Sequence, residues 1–456
     1  MSLPRKYTNA TDYLRDVLNL LSKYRWIYNY QNTHILVRNT FDRFPGDWVD
    51  FFSTLSNEEL NRLPINGLKN CPDSLAQLLD DIKSLTPCAI YEEVLEDNCE
   101  FSHNNGLSAK KRHEIISLAP IINRICTDYK VELIIDVGSG LGYLSHYLNS
   151  KYDYKVMGLE RSKGFVELAL RNQEKFYPKS KNCVIFKELF IDSESSKSIT
   201  DLVGDNFEST GIKSSALVGL HACADLSVNI LDVFSTLQFA KVLIIMPCCY
   251  HRMNLQSSNG VNGEEYFVNF PISNTLKELY KEFNAQEYLR TPFLRLSCQQ
   301  TIGNFINMTE AQHERHAQDL MFRCILQAVA ETEHYQVKRL KRKQVNINGE
   351  NSDENFEGYL RNVRIGHCLL DCRNETVDID DSFLDKMRLK WKDYKSKCFL
   401  MEALTSLQAA MQRMCENVVL IDRIEYMREK GFECMAMKIT NDQLSPRSFA
   451  IVATKG

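Results

Sequence analysis

The chain has 456 residues, of which 44% are hydrophobic, 25% charged and 10% aromatic, and its formal net charge is −4. That length exceeds one ordinary domain and supports a packed core, which excludes wholesale disorder. The charge excludes a uniformly basic nucleic-acid coat but leaves room for a local basic groove. The 15 cysteines lie in a large chain that opens Met-Ser-Leu-Pro-Arg-Lys-Tyr, with no apolar signal core and no long apolar run. The expectation is free thiols in a reducing compartment, cytosol or nucleus, with no membrane-spanning helix.

The first region, 1–105, reads as helical. Tyr13, Leu14, Val17, Leu18 and Leu21 recur at helical spacing, and Ser56 followed by Glu59 has the spacing of a capping box. A polar break at Asn104-Asn105-Gly106 precedes a further helix from Ser108 to about Asp128. The second region, 106–252, changes to strands alternating with helices. Apolar strands are predicted at 132–136, 155–160, 183–186, 216–220 and 241–246, with helices between them. Repeated strand-helix units of this length require right-handed crossovers and a parallel sheet. The third region, 253–410, is expected to be a mostly helical insertion, with a charged helix over 309–333, a basic cluster at 338–343, a loose loop over 346–355 and helices from Asp381. The last region, 411–456, closes with two apolar strands, 433–439 and 448–453, joined by a turn containing Pro446. A terminal hairpin after five parallel strands suits a Rossmann-like sheet of seven strands whose last strand runs antiparallel.

The first strand ends in Asp136-Val137-Gly138-Ser139-Gly140-Leu141-Gly142. Glycine is needed where the backbone must turn sharply and let a ligand lie against it. Spacing at 138, 140 and 142 departs from the dinucleotide pattern. Asp136 would oppose a pyrophosphate but suits a ligand carrying an ammonium and a sulfonium. Glu160, ending the second strand, can accept hydrogen bonds from both ribose hydroxyls. The expected cofactor is therefore S-adenosylmethionine, held by Asp136, Gly138, Ser139, Gly140, Gly142 and Glu160 on a class I methyltransferase fold of the α/β class.

Ligands of an open parallel sheet gather beyond the carboxyl ends of its strands. Two reactive clusters are expected there: His221-Ala-Cys-Ala-Asp225 after the fourth strand and Pro247-Cys-Cys-Tyr-His251 after the fifth. Three readings stay open. In the first, His221 or Asp225 accepts or orients the proton of an attacking hydroxyl or amine while Tyr250 stacks on a base. In the second, Cys248 or Cys249 attacks a pyrimidine ring carbon. In the third, Cys223, Cys248, Cys249, His221 and His251 supply zinc ligands. Adjacent cysteines are awkward joint ligands, so no metal is assigned. His221, Asp225, Cys249, Tyr250 and His251 stand as the candidate catalytic set.

Several motifs together carry a resemblance: Ser108-Ala-Lys-Lys-Arg-His-Glu114, the glycine loop, Gly219-Leu-His-Ala-Cys-Ala-Asp-Leu-Ser227, Pro247-Cys-Cys-Tyr-His251 and 445–453. They resemble the methyltransferase-like protein 25 family, some of whose members are named for a ribosomal RNA adenine dimethylase domain. The central domain is also similar to the eukaryotic tRNA 2′-O-methyltransferase of the acceptor stem. The resemblance implies a methyltransferase fold, S-adenosylmethionine as donor and RNA as substrate. Ala224 stands where that pattern has glycine, and Ala109 where it has proline. No Asn/Asp-Pro-Pro-Tyr element is present, so the residues do not support adenine N6 dimethylation. The alternative is an inactive fold that serves as a protein-binding adaptor, or a methyltransferase for proteins or small molecules.

Overall fold

A computed structural model of the chain describes residues 3–87, 107–207, 211–257, 265–298, 302–340, 351–441, 444–445 and 447–455. The break at Asn104-Asn105-Gly106, the end of the basic cluster (341–343), residues 346–350 and Pro446 lie outside them. The chain divides into two units, one of Met1–Asn19, Ser84–Gly303 and Gln412–Gly456, the other of Leu20–Lys83 and Asn304–Met411.

The first unit is built on seven strands: β1 Leu133–Val137, β2 Lys155–Glu160, β3 Val184–Glu188, β4 Ser215–Cys223, β5 Ala240–Cys248, and the pair that returns near the C-terminus, here β11 Glu433–Lys438 and β12 Phe449–Thr454. Between them in the chain, β6 Leu255–Ser257 and β7 Glu265–Phe267 form a hairpin. β8 Gln336–Arg339, β9 His367–Leu370 and β10 Thr376–Val377 form a small sheet in the second unit. The large sheet has the order β11-β12-β5-β4-β1-β2-β3. β1 to β5 pair in parallel, and β12 is antiparallel to both β5 and β11.

Both faces of this sheet are covered, which is why its strands read as continuous apolar runs. Alternate residues of β1 enter opposite cores: Leu133, Ile135 and Val137 pack with Ile230, Phe234 and Ile424, whereas Ile134 packs with Ile122, Leu148 and Val166. The helix Ala109–Asp128 lies among the elements of the second face, capped by Ser108, whose hydroxyl accepts from the Lys111 N–H. That docking brings Lys110, Lys111 and Glu114 to the sheet.

Differences from the sequence reading have local causes. β4 and β5 run on through His221 to Cys223 and through Pro247 to Cys248, because Ala222 and Cys223 keep pairing with Pro247 and Cys248 after an irregularity at 219–222. The reactive clusters thus begin on the strands rather than after them. Residues 351–355 are not loop: Asn351 caps the helix Ser352–Gly366, its side chain accepting from the Glu354 N–H. Lys338 and Arg339 sit on a strand, not a helix end. In the second unit, the capping box at Ser56 and Glu59 is formed, and Thr309 and Gln312 form another.

Candidate active site

The glycine loop joins β1 to the helix Tyr143–Tyr152. Gly138 and Ser139 donate backbone N–H bonds to the Leu159 carbonyl at 2.8 and 3.2 Å, which ties the loop to β2. Gly142 has φ +77, and a Cβ there would come within 2.3 Å of the Phe186 ring. Gly140 has φ +56 and opens onto empty space, so its backbone is bare to a ligand. The Glu160 carboxylate accepts from the Gly140 N–H at 3.2 Å and the Ser162 N–H at 3.0 Å. The buried Ser139 hydroxyl has no partner among the described residues. A buried polar group without a partner is costly, so a cradle of bare glycine backbone with an orphaned hydroxyl fits a polar nucleoside ligand.

Asp136 is buried at the end of β1, where its carboxylate accepts a 2.6 Å bond from the Ser145 hydroxyl. Burial pushes its carboxyl up to about 6, with the Glu160 charge adding to the rise and Ser145 and Lys111 opposing it. Lys111 in turn is pushed down by burial, while the nearby charges of Asp136 and Glu114 hold it up. Lys111 thereby links the acid of the glycine loop to a second acid that the sequence reading did not single out.

That acid is Glu114. Its side chain is 1% exposed, and its Oε2 lies 3.3 Å from His221 Nε2. Its Oε1 accepts a 2.6 Å bond from the Ser445 hydroxyl. Burial works to raise its carboxyl, but the bonds to His221 and Ser445 prevail and hold it below the usual range. In a neutral imidazole, a carboxylate that accepts from Nε2–H selects the tautomer whose Nδ1 is an acceptor. Nδ1 is buried and has no partner among the described residues.

The other candidates do not converge on that nitrogen. Asp225 accepts from the Asn254 N–H at 2.9 Å and the Asn269 side-chain amide at 2.8 Å, so it pins the segment after β5. Tyr250 is 1% exposed with the Arg423 guanidinium 5.3 Å from its ring centre, and so offers no face on which a base can stack. Arg423 is itself fully buried beside Asp422, whose carboxylate accepts from the Ile272 and Ser273 N–H groups. His251 Nδ1 faces Cys298 Sγ at 3.4 Å, and burial pushes its imidazole down. Ala224 takes φ +52, a left-handed conformation that explains why the resembling pattern has glycine there.

Cys249 also has a left-handed backbone, φ +53. Its thiol is held well below the ordinary range by hydrogen bonds from the Cys223 and Cys248 thiols and by Arg447, whose guanidinium is 3.9 Å away. Sequence reading had no means of pairing Arg447 with Cys249, since nearly two hundred residues separate them.

The strand order and the glycine loop at the β1 carboxyl end define a class I methyltransferase domain, the class whose methyl donor is S-adenosylmethionine. Residues 110–256 match a protein-family model described as a methyltransferase domain. The chain is similar to a human protein named Probable methyltransferase-like protein 25, with 20% identity over an alignment covering 84% of this chain and 82% of that one. The mouse protein of the same name is 23% identical over 52% of this chain and 37% of its own length. Among solved structures, an RNA methyltransferase from Salinibacter ruber in complex with S-adenosyl-L-homocysteine matches 34% of this chain and 94% of its own, with 13% identity and a TM-score of 0.20. No helix among the described residues is long and apolar enough to cross a membrane.

Proposed function

We propose that the chain transfers a methyl group from S-adenosylmethionine to a hydroxyl or nitrogen of an RNA acceptor, with His221 as proton acceptor and Glu114 as the residue that positions it. The observation that carries this reading is the Glu114–His221 pair, with its unmet Nδ1, at the same carboxyl edge as the glycine loop. A neutral hydroxyl or amine attacks a donor methyl poorly. A base that takes its proton as the new bond forms makes the attack productive.

On this reading Asp136 and Glu160 hold the cationic and ribose parts of the donor, and the glycine backbone lies against it. Donor chemistry consists of a methyl group on a positively charged sulfur. Support for RNA comes from the site's own charge. In a chain of net charge −4, Lys110, Lys111 and Arg447 gather near Glu114 and the thiols. Cations so placed suit a phosphate backbone. The family resemblance points the same way, and ribose hydroxyl methylation fits these residues better than adenine dimethylation.

The test is incubation of the intact chain with radiolabelled donor and total RNA from cells lacking it, followed by nucleoside mass spectrometry. Label in a single modified nucleoside, one missing from those cells, is the expected result. Label in protein or small metabolites, with none in RNA, overturns the RNA assignment.

A further inference from the structure

We propose that Cys223, Cys248 and Cys249 form a three-thiolate site for one zinc ion, with a fourth coordination position left open. The three sulfurs all lie within 4.8 Å of one another, and the Cys223 and Cys248 sulfurs are 2.8 Å apart. This goes beyond the methyl-transfer reading, which uses none of these thiols.

The backbone explains how adjacent cysteines reach one centre. Cys223 and Cys248 are register partners on the parallel neighbours β4 and β5, so their side chains leave the same face of the sheet. Cys249 in an extended strand would point to the opposite face. Its φ of +53 ends the alternation at that residue and returns its thiol to the other two. A left-handed conformation is costly on a residue other than glycine, and sites that retain such a cost commonly do so for function.

Ligand type and charge point to the metal. Thiolates are soft ligands that select zinc over magnesium or calcium. Three thiolates and one zinc ion leave one negative charge, and Arg447, with its guanidinium 3.9 Å from Cys249 Sγ, neutralises it. Among the described residues the ligand atoms that gather within 4.8 Å of one another are these three sulfurs alone, with no imidazole nitrogen in the group. A zinc ion with three protein ligands keeps its fourth position for water or substrate. Cys248 is buried while Cys223 and Cys249 are partly exposed, so the cluster has an accessible side. Binding would release to solvent whatever protons the thiols still hold as the three zinc–sulfur bonds form.

The experiment uses the full chain purified under reducing conditions without chelators. Elemental analysis is expected to find about one zinc per chain, and cobalt(II) in its place to give the intense thiolate-to-metal absorption of several sulfur ligands. Cys249→Ser and Cys223→Ser should each bring zinc to about none, while Cys372→Ser, an exposed thiol elsewhere, leaves it unchanged. Circular dichroism and donor binding, measured on the same samples, separate loss of metal from loss of fold and from failure of the methyltransferase reading. A folded, reduced chain that takes up neither zinc nor cobalt overturns the site. So does one that binds no metal and forms a Cys223–Cys248 disulfide on mild oxidation, which would make the pair a redox couple.

Discussion

Replacing His221 with alanine should lower kcat by about 10²- to 10⁴-fold while leaving donor affinity unchanged. The split follows from geometry. His221 stands on β4, its Nε2 faces Glu114, and its buried Nδ1, without a partner among the described residues, is the atom assigned to take the acceptor's proton. Donor contacts are assigned to other residues, on β1, the glycine loop and β2, so binding should survive. Glu114→Gln keeps the shape but removes the charge that fixes the tautomer. It should reduce kcat by about tenfold or more at unchanged donor affinity. Added imidazole should restore part of the rate to His221→Ala, because a cavity in place of the ring can admit it. A merely structural role for His221 predicts no such rescue. Stopped-flow or discontinuous transfer assays beside calorimetry provide both readouts. Unchanged kcat in His221→Ala removes the histidine from the chemistry.

Asp136→Asn should move stability and donor binding in opposite directions. The buried carboxyl is pushed up to about 6 from an ordinary 3.8. A raised carboxyl means that the folded chain holds this proton more tightly than the unfolded one. The stability is therefore fully present below about pH 4 and is lost as pH rises through about 6, so the fold is less stable at pH 7 than at low pH by about 3 kcal/mol from this group. Asparagine cannot ionise, so the variant should be more stable than the parent at pH 7 by up to about that amount, and no more stable at pH 4. Urea unfolding at the two pH values measures this directly. Donor binding should weaken by about 10- to 100-fold, the value of a charge-assisted hydrogen bond. In the parent chain, affinity for the cationic donor should climb between about pH 5 and 7 as Asp136 ionises. Equal stability at both pH values, with undiminished binding, would contradict the role given to this acid.

Much of the fold can be read from the residues because the sheet is covered on both faces. Its central strands are therefore apolar runs, and the glycines mark the one turn where the backbone must be bare. What escaped had a physical reason in each case. Strand ends 4 and 5 carry His221, Cys223, Pro247 and Cys248, polar or helix-neutral residues that read as loop yet stay on the ladder. Glu114 looks like the exposed charge of a solvated helix start, and only docking of that helix buries it against His221. Asp225 and Tyr250 have the right chemistry for a site, but their positions give them structural partners instead. The thiol cluster depends on one backbone angle at Cys249, which no side-chain pattern encodes.

S-adenosylmethionine is assigned to the loop from Asp136 to Gly142. Calorimetric titration of the intact chain with the donor, and with S-adenosylhomocysteine, tests it most directly. One saturable site for each ligand, weakened in Asp136→Asn, is the predicted result. No binding of either at about 1 mM, where even an affinity of about −4 kcal/mol half-fills a site, would contradict it.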